Sequence, residues 1–184
     1  MRKKIVAFGA SNSRNSINKQ FAQFAAHQVE AADIELLDLN DYEMPIYSID
    51  REKESGIPAI AKAFKAKIQA ADLVIISFAE HNGAYTVAFK NLMDWISRLE
   101  GSTWDNKPML LLSTSPGARG GKTVLDLASR SFAFMTKGVI SSFALPSFHQ
   151  HFSTTEGITD QELRASFKTT LQAFLQEANT LIIQ

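Results

Sequence analysis

Short runs of apolar residues alternate along the chain with segments in which apolar residues recur every three or four positions. The runs are typical of buried strands, and the longer spacing is typical of helices that bury one face. Strands are predicted at residues 5–8, 34–39, 72–78, 109–114 and 139–145. Strands that alternate with helices form a parallel sheet, because the helices provide the crossovers between neighbouring strands.

The helical segments confine their apolar residues to one side. Pro58 stands where the second helix begins, and a capping box, Thr159-x-x-Glu162, is predicted to open the last one. We therefore predict an α/β fold with three layers and a five-stranded parallel sheet in the order 2-1-3-4-5, with helices on both faces. Residues 1–184 are expected to form a single domain, since neither a linker nor an internal repeat interrupts the pattern.

Three unusual loops follow strands one, three and four. They are the serine-rich turn (residues 9–18), the Asn-Gly turn (residues 79–85) and the glycine-rich turn (residues 115–121). In parallel sheets, ligands bind beyond the carboxyl ends of the strands, near the point where the strand order reverses. One pocket built from all three turns is therefore predicted. A long polar loop at residues 40–56 is expected to serve binding or an interface.

The serine-rich turn joins the first strand to the first helix. Such a turn directs main-chain N–H groups outward at the positive end of the helix dipole, where anions bind. Ser11, Ser13 and Ser16 add hydroxyl groups. The turn has neither the G-x-G-x-x-G of a dinucleotide site nor the G-K-[ST] of a P-loop, which favours a single phosphate monoester. An ordinary serine cap on the helix is an equally compatible interpretation.

The other two turns each allow a functional and a plain interpretation. Glu80 and His81 offer an acid and an imidazole, but neighbours along a chain rarely face each other, and Asn82-Gly83 also suits a simple turn. Gly121-Lys122-Thr123 resembles the end of a P-loop, yet Pro116 stands where that motif requires glycine. We interpret the glycine-rich turn as one that lets main-chain groups approach a flat ligand; a flexible turn is the alternative.

Composition narrows the classes of function. The chain has 184 residues, no cysteine and a formal net charge of zero, so it shows neither a basic surface for nucleic acid nor thiol chemistry. The segment after the basic N-terminus is too short for a signal peptide, and no stretch is long enough to span a membrane, so a cytoplasmic protein is expected. No metal site is predicted, because His149 and His151 lack a carboxylate or thiolate partner.

Together these segments resemble the NADPH-dependent FMN reductase family. The serine-rich turn, with its Ala10-Ser11-Asn12-Ser13-x-x-Ser16-Ile17-Asn18 pattern, is similar to that family's phosphate loop. Glu80-His81-Asn82-Gly83-Ala84 resembles the P-E-Y-N-G-S segment that holds the isoalloxazine ring, and Phe89-Lys90-Asn91-x-x-Asp94-Trp95 resembles the helix that follows it. Ser115-Pro116-Gly117 with Gly120-Gly121 resembles the third flavin loop.

The resemblance implies a flavodoxin-like fold and an oxidoreductase that uses FMN, with NADPH or NADH as co-substrate. Hydride would pass from NAD(P)H through flavin N5 to a quinone, a flavin, an azo dye or a similar small acceptor. No side chain is assigned as catalytic, because the cofactor carries the difficult step. The implied FMN-binding residues are Ser11, Ser13, Ser16, Ile17, Asn18, Glu80, His81, Asn82, Gly83, Ser115, Pro116, Gly117, Gly120 and Gly121.

Further implications concern assembly and departures from the family pattern. The resemblance implies a homodimer or homotetramer, in which residues 40–56 and Trp104 would cover the flavin of a second subunit. Ala79, His81 and Ala84 stand where the family has proline, tyrosine and serine, so the choice of acceptor is open. A flavodoxin-like electron carrier and a non-enzymatic FMN-binding protein are the alternative functions, and zero net charge disfavours an electron carrier that docks through acidic groups.

Overall fold

A five-stranded parallel sheet forms the centre of the molecule, as predicted. The computed structural model describes residues 2–182, and side chains from residue 2 to residue 180. The strands are β1 (Lys3–Ala10), β2 (Ala32–Leu37), β3 (Leu73–Phe78), β4 (Met109–Thr114) and β5 (Ile140–Leu145). All neighbours pair in parallel in the order β2-β1-β3-β4-β5, which confirms the predicted topology.

Helices and one small hairpin connect and cover the strands. They are α1 (Ile17–His27), a 3₁₀ turn (Leu39–Tyr42), α2 (Ile49–Ser55), α3 (Ala59–Ala70), α4 (Val87–Ile96), α5 (Lys122–Met135), α6 (Phe148–His151), the hairpin strands β6 (Phe152–Ser153) and β7 (Gly157–Ile158), and α7 (Gln161–Ile182). Within residues 2–182, no helix combines the length and apolar character that a membrane crossing requires.

Two apolar layers lie on opposite faces of the sheet. Because side chains alternate along a strand, Val6 and Phe8 of β1 face one layer while Ile5 and Ala7 face the other. Helices α3, α4 and α5 cover the first face, and α1 and α7 cover the second. The inner strands β1, β3 and β4 are buried on both sides, which explains their nearly continuous apolar sequences.

The long loop predicted at residues 40–56 contains more structure than expected. The 3₁₀ turn occupies its beginning and α2 its end, although α2 buries none of its residues. Between them, the main chain is fixed to α4: Asn91 donates to the carbonyls of Met44 and Pro45, and Trp95 Nε1 donates to Pro45 at 2.7 Å. This segment is therefore held beside the middle and the C-terminal part of α4.

Several element boundaries and the place of one side chain differ from the sequence predictions. Strand β1 extends two residues beyond its predicted range at each end. Strand β2 begins and ends two residues earlier than predicted, because Leu39 starts the 3₁₀ turn. The predicted capping box at Thr159 is wrong: Asp160 Oδ1 accepts the N–H of Leu163 at 2.9 Å and caps α7. Trp104 is fully buried, stacked on Phe132 at 5.0 Å between ring centroids, so it lies in the core and covers no ligand.

Candidate functional site

The three turns meet at one edge of the sheet, as their positions after β1, β3 and β4 predict. They line an open cavity of about 240 Å³, which we call the cradle. Its lining residues are Ser11, Ser13, Asn15, Ser16, Ile17, Asn18, Ala79, Glu80, His81, Thr114, Ser115 and Pro116. The structure thus confirms that the turns form a common pocket, and a role for these residues in holding a cofactor stays a prediction.

The serine-rich turn exposes main-chain N–H groups to the cradle. Ser16 Oγ accepts the N–H of Lys19 and caps α1, while Ser11 Oγ accepts the N–H of Ser13. Within residues 2–182, the N–H groups of Ile17 and Asn18 donate to no protein acceptor. Free N–H groups at the positive end of a helix suit a phosphate, so this turn fits the phosphate of FMN.

Gly9 sets how closely α1 approaches the end of β1. A Cβ atom at Gly9 would lie 2.5 Å from the nitrogen and 2.8 Å from the Cα of Lys19, both of them main-chain atoms. Only glycine therefore allows the first turn of α1 to pack directly on the strand. This contact aims the free N–H groups of the helix into the cradle.

Asn18 joins the serine-rich turn to two other strands. Its Oδ1 atom accepts the N–H of Thr114 at 3.0 Å and the hydroxyl of Ser77 at 2.7 Å, and its Nδ2 atom donates to Thr114 O at 3.1 Å. All of these groups are buried. The side chain of Asn18 therefore holds the carboxyl ends of β3 and β4 beside α1, and its main-chain N–H is what faces the cradle.

The tip of the Asn-Gly turn is a tight two-residue turn. His81 and Ala84 exchange two main-chain hydrogen bonds of 3.0 Å, and Asn82 and Gly83 have φ values of 53° and 74°. Two successive positive φ angles define a type I′ turn, which explains the Asn-Gly sequence. Neither Asn82 nor Gly83 lines the cradle, and Gly83 instead borders a separate pocket beside α5.

Glu80 joins the Asn-Gly turn to the beginning of α5. Its Oε2 atom accepts the main-chain N–H of Val124 at 3.1 Å, and Oε1 lies 3.9 Å from Arg119. A carboxylate at the N-terminus of a helix is stabilised by the free N–H groups and the dipole there. Glu80 thus positions the turn, with a side chain that lines the cradle and remains only 18% exposed.

The residues of the glycine-rich turn divide into two groups. Ser115 and Pro116 line the cradle, whereas Gly117 accepts the N–H groups of Gly120 and Ser147 through its carbonyl. Gly120 is buried with a φ of 57°, and a Cβ atom there would lie 2.6 Å from Leu145 O. Gly121, with a φ of 72°, forms the N-cap of α5. These last two glycines shape the turn and do not line the cradle.

A second cavity, of about 280 Å³, adjoins the cradle through His81, and we call it the Tyr42 cavity. Its lining residues are Asn12, Leu39, Asn40, Tyr42, Glu43, Met44, Ile46, His81, Thr86, Val87, Ala88 and Asn91. Thr86 was not among the residues predicted from the sequence, and its hydroxyl donates to Ala10 O at 2.9 Å and accepts the N–H of Phe89. A threonine before an apolar helix is a recognisable N-cap and would have revealed it.

Tyr85 fixes the far end of the Asn-Gly turn against α5. Its hydroxyl lies 2.8 Å from Ser131 Oγ, and its ring packs on Phe78 and Phe89. Burial raises the pKa of the Tyr85 hydroxyl above its ordinary value, and the hydrogen bond between this hydroxyl and Ser131 Oγ opposes that rise. The phenol is therefore neutral at physiological pH and serves as a structural contact.

The two histidines after the sheet lie on α6, outside the cradle. His149 is exposed and His151 is half-buried. Among the residues that the structure describes, no group of three or more histidine, cysteine, aspartate or glutamate side chains has a geometry that would hold a metal ion.

The family model for NADPH-dependent FMN reductases matches residues 3–150. The chain belongs to that family. It is therefore an FMN-dependent NAD(P)H oxidoreductase with a flavodoxin-like fold, as the resemblance implied. The matched region contains all three turns that form the cradle.

The chain is also similar to individual proteins and to a solved structure. An uncharacterised protein of Mycoplasma pneumoniae is 33% identical over 155 residues, covering 82% of this chain and 91% of its own. A 2-hydroxy-1,4-benzoquinone reductase of Burkholderia sp. is 36% identical over 119 residues, covering 64% of this chain and 63% of its own. A flavoenzyme NAD(P)H:(acceptor) oxidoreductase of Paracoccus denitrificans shares the fold with a TM-score of 0.77, at 21% identity, over 97% of this chain and 98% of that one.

Proposed function

We propose that this FMN reductase reduces quinones with NAD(P)H and holds FMN in the cradle. One observation supports the placement: free helix N–H groups, hydroxyls and the ends of three strands converge on one cavity. A phosphate monoester needs several hydrogen-bond donors but does not need a glycine-rich loop wrapped closely around it. The serine-rich turn provides such donors.

The proposed position of FMN follows from the three turns. Its phosphate would accept from the N–H groups of Ile17 and Asn18 and from the hydroxyls of Ser11, Ser13 and Ser16. Its ring would lie against Glu80 and His81 and against Ser115, Pro116 and Gly117, while Asn82, Gly83, Gly120 and Gly121, which do not line the cradle, would only shape the two turns. When bound, FMN supplies hydride transfer at N5; the chain supplies binding, orientation and hydrogen-bond donors around the ring.

The chain's own contribution to the reaction is to hold the turns around the ring in fixed positions. Glu80 holds the Asn-Gly turn on α5, and Asn18 holds the serine-rich turn on β4, so the two walls keep their separation. His81 stands between the cradle and the Tyr42 cavity with its side chain exposed. An imidazole there can donate a hydrogen bond to a carbonyl oxygen of an approaching acceptor.

A quinone is the acceptor class that the surroundings favour. The Tyr42 cavity presents a ring and apolar chains from Tyr42, Met44 and Ile46, together with the amides of Asn12 and Asn40. Flat molecules with two carbonyl groups need such a mixture of apolar walls and a few polar contacts. Two of the similar proteins carry names that specify quinones, the Burkholderia enzyme and a quinone reductase of Escherichia coli.

We also propose that the enzyme works as a homo-oligomer in the cytoplasm. Exposed apolar side chains lie beside the cavities and on α4 and α5: Ile46 at 65%, Val87 at 70% and Phe134 at 93% exposed. Large exposed apolar groups of this kind favour association with another copy. Light scattering coupled to size-exclusion chromatography measures the mass directly, and a strictly monomeric enzyme would exclude this part of the proposal.

The decisive experiment uses the purified protein. We expect the absorbance of bound flavin, FMN among the molecules released on denaturation, and loss of the oxidised-flavin absorbance when NAD(P)H is added without oxygen. Addition of 1,4-benzoquinone should restore the absorbance and sustain NAD(P)H oxidation. A flavoprotein that NAD(P)H reduces but quinones fail to reoxidise would overturn the quinone assignment and leave the flavin site intact.

A further inference from the structure

His81 is the one residue, among those that the structure describes, that lines both the cradle and the Tyr42 cavity. The proposed function places the flavin ring in the cradle and the acceptor in the Tyr42 cavity. A side chain that borders both cavities lies where an acceptor would meet the ring. His81 is therefore in a position to contact the reacting atoms of the acceptor.

The main chain of His81 is fixed, whereas its side chain is free. The N–H and the carbonyl of His81 exchange two hydrogen bonds of 3.0 Å with Ala84, and the preceding residue, Glu80, is bound to the start of α5. Within residues 2–182, the imidazole makes neither a hydrogen bond nor an ion pair, and the residue is exposed. Both ring nitrogens are thus available to an acceptor and to water.

The other donors of the Tyr42 cavity are poor sources of a proton. The hydroxyl of Thr86 and the amides of Asn40 and Asn91 already donate to protein groups. Burial raises the pKa of the Tyr42 hydroxyl above its ordinary value, so this phenol holds its proton more firmly. Asn12 offers an amide, which donates a hydrogen bond but does not release a proton.

Two carboxylates, Glu43 and Glu80, are the other charged groups that line these cavities within the described residues. Glu80 accepts the N–H of Val124 and lies 3.9 Å from Arg119, so its oxygens are engaged toward α5. Glu43 is exposed, and a negative charge in the same cavity favours a protonated imidazole by simple attraction. Histidine is the side chain that ordinarily gains and loses a proton between about pH 5 and 8.

We propose that His81 is a catalytic residue that delivers a proton to the quinone as it is reduced. This inference rests on the proposed function for the places of the ring and the acceptor. Reduction of a quinone to a hydroquinone adds one hydride and one proton. The hydride carries both electrons from NAD(P)H, by way of the cofactor, and forms the first O–H bond. An N–H bond of the protonated imidazole breaks as the second O–H bond forms, and the imidazole then regains a proton from water.

The two half-reactions of the purified holoenzyme test this step separately. Reduction by NAD(P)H and reoxidation by 1,4-benzoquinone are each followed by flavin absorbance after rapid mixing. The rate constant of reoxidation should fall about tenfold as pH rises from about 6 to 8, because only the protonated imidazole carries the proton. In His81→Gln, reoxidation should be at least about tenfold slower at low pH and should no longer depend on pH. A pH dependence that persists in His81→Gln would overturn the proposal.

Matched variants separate proton transfer from simple contact. Glutamine donates a hydrogen bond without releasing a proton, so His81→Gln should lower the limiting rate of reoxidation while the half-saturating quinone concentration changes less than about twofold. His81→Ala removes the hydrogen bond as well and should raise that concentration. His149→Gln makes the same change at an exposed histidine outside both cavities and should leave the pH profile unaltered. Loss of the pH dependence in Glu43→Gln, with its retention in His81→Gln, would assign the proton to Glu43 instead.

Contact with a carbonyl is tested without turnover by chromone, a flat ketone that does not accept a hydride from reduced flavin. Chromone should shift the imidazole C–H resonances of His81 in the NMR spectrum of the oxidised holoenzyme, and their absence in His81→Gln assigns them. Unmoved resonances at saturating chromone would remove His81 from the acceptor site. If quinones fail to reoxidise the wild-type flavin, the proposed function fails; if they reoxidise His81→Gln with the wild-type rate and pH profile, only the role of His81 fails.

Discussion

The side-chain amide of Asn18 pairs with both the N–H and the carbonyl of Thr114, a residue 96 positions later in the chain. The two bonds resemble those between neighbouring strands of a sheet, but here they join α1 to the end of β4. Ser77 adds a third bond, so the ends of β3 and β4 and the start of α1 share one buried contact. The geometry of the cradle depends on it.

Asn18→Ala should destabilise the protein and weaken flavin binding together. The change leaves the N–H and carbonyl of Thr114 and the hydroxyl of Ser77 without a protein partner, at a cost of about 3 kcal/mol. Urea denaturation measures that free energy of unfolding. Asn40→Ala is the control, because Asn40 is exposed and bonds only locally to Asp38, and less than about 0.5 kcal/mol is expected there. Similar losses in both variants would contradict the role given to Asn18.

Ser16→Asp should weaken FMN binding more than about tenfold while the fold remains stable. Aspartate caps helices as well as serine does, so the bond to the Lys19 N–H is retained, but its charge repels a phosphate at the same place. Flavin affinity is measured by fluorescence quenching on the apoprotein. Ser48→Asp makes the same change at the cap of α2, outside the cradle, and should leave FMN binding unaltered. Unchanged affinity in Ser16→Asp would show that the phosphate binds elsewhere.

Two glycines of the same turn should respond differently to alanine. Gly120→Ala brings a Cβ atom against Leu145 O at a positive φ, so a loss of about 2–3 kcal/mol in stability is expected. At Gly117 the nearest atom to a Cβ is Ser115 Oγ at 3.8 Å, so Gly117→Ala should fold normally. If the flavin ring approaches this main chain, Gly117→Ala should still weaken FMN binding. Full binding and full stability in Gly117→Ala would remove this residue from the flavin site.

Acid stability should depend on Asp38. Burial raises the pKa of the Asp38 carboxyl, but hydrogen bonds from Lys19 and Asn40 outweigh it, and the folded-state pKa lies below the ordinary value. The ionised carboxylate therefore stabilises the fold above about pH 4, and this contribution is lost as pH falls through the folded-state pKa. Asp38→Asn should flatten the dependence of unfolding free energy on pH between about 5 and 3. Asp50→Asn, an exposed site on α2, is the comparison, and identical curves for Asp38→Asn and the wild type would refute the assignment.

The sheet and the meeting of the turns were predictable from sequence because they depend on burial. Every inner strand is buried on both faces, so its apolar run marked its position along the chain. The strand order was predicted from the type of fold that alternating strands and helices favour. Helix α2 was not predictable, because it buries no residue and forms through tertiary contacts: Tyr47 donates to Glu52, which also pairs with Arg98.

At the start of α7, a tertiary contact overrides a local sequence motif. Thr159 and Asp160 are both suitable caps, and spacing favoured Thr159. In the structure the main-chain N–H of Thr159 donates to His151 O at 2.9 Å, beside the hairpin. This N–H is therefore not available to the Glu162 side chain, as a capping box requires. Asp160 takes the cap instead. Sequence spacing alone contains no information about that hairpin.

The site was predictable as a set of turns, but not as a set of side-chain roles. The sequence identified Asn18, Glu80 and Gly120 as binding residues, and the structure shows that each first fixes one segment on another. The contacts of Asn18 and Glu80 join residues 96 and 44 positions apart, and only that of Gly120, with Ser113, is local. Thr86, which fixes α4 to the end of β1, was missed although its place before an apolar helix marks it as an N-cap.

Trp104 gives the enzyme a built-in optical reporter. Its indole lies between Phe89 and Phe132, and its N–H has no hydrogen-bond partner within residues 2–182. Because the buried indole N–H of Trp104 makes no such hydrogen bond, Trp104 should emit at shorter wavelength than Trp95, which donates to Pro45. Both rings lie in the molecule that would carry the flavin, an efficient energy acceptor. Ultraviolet emission alone should therefore follow unfolding and cofactor loading in the same unlabelled sample.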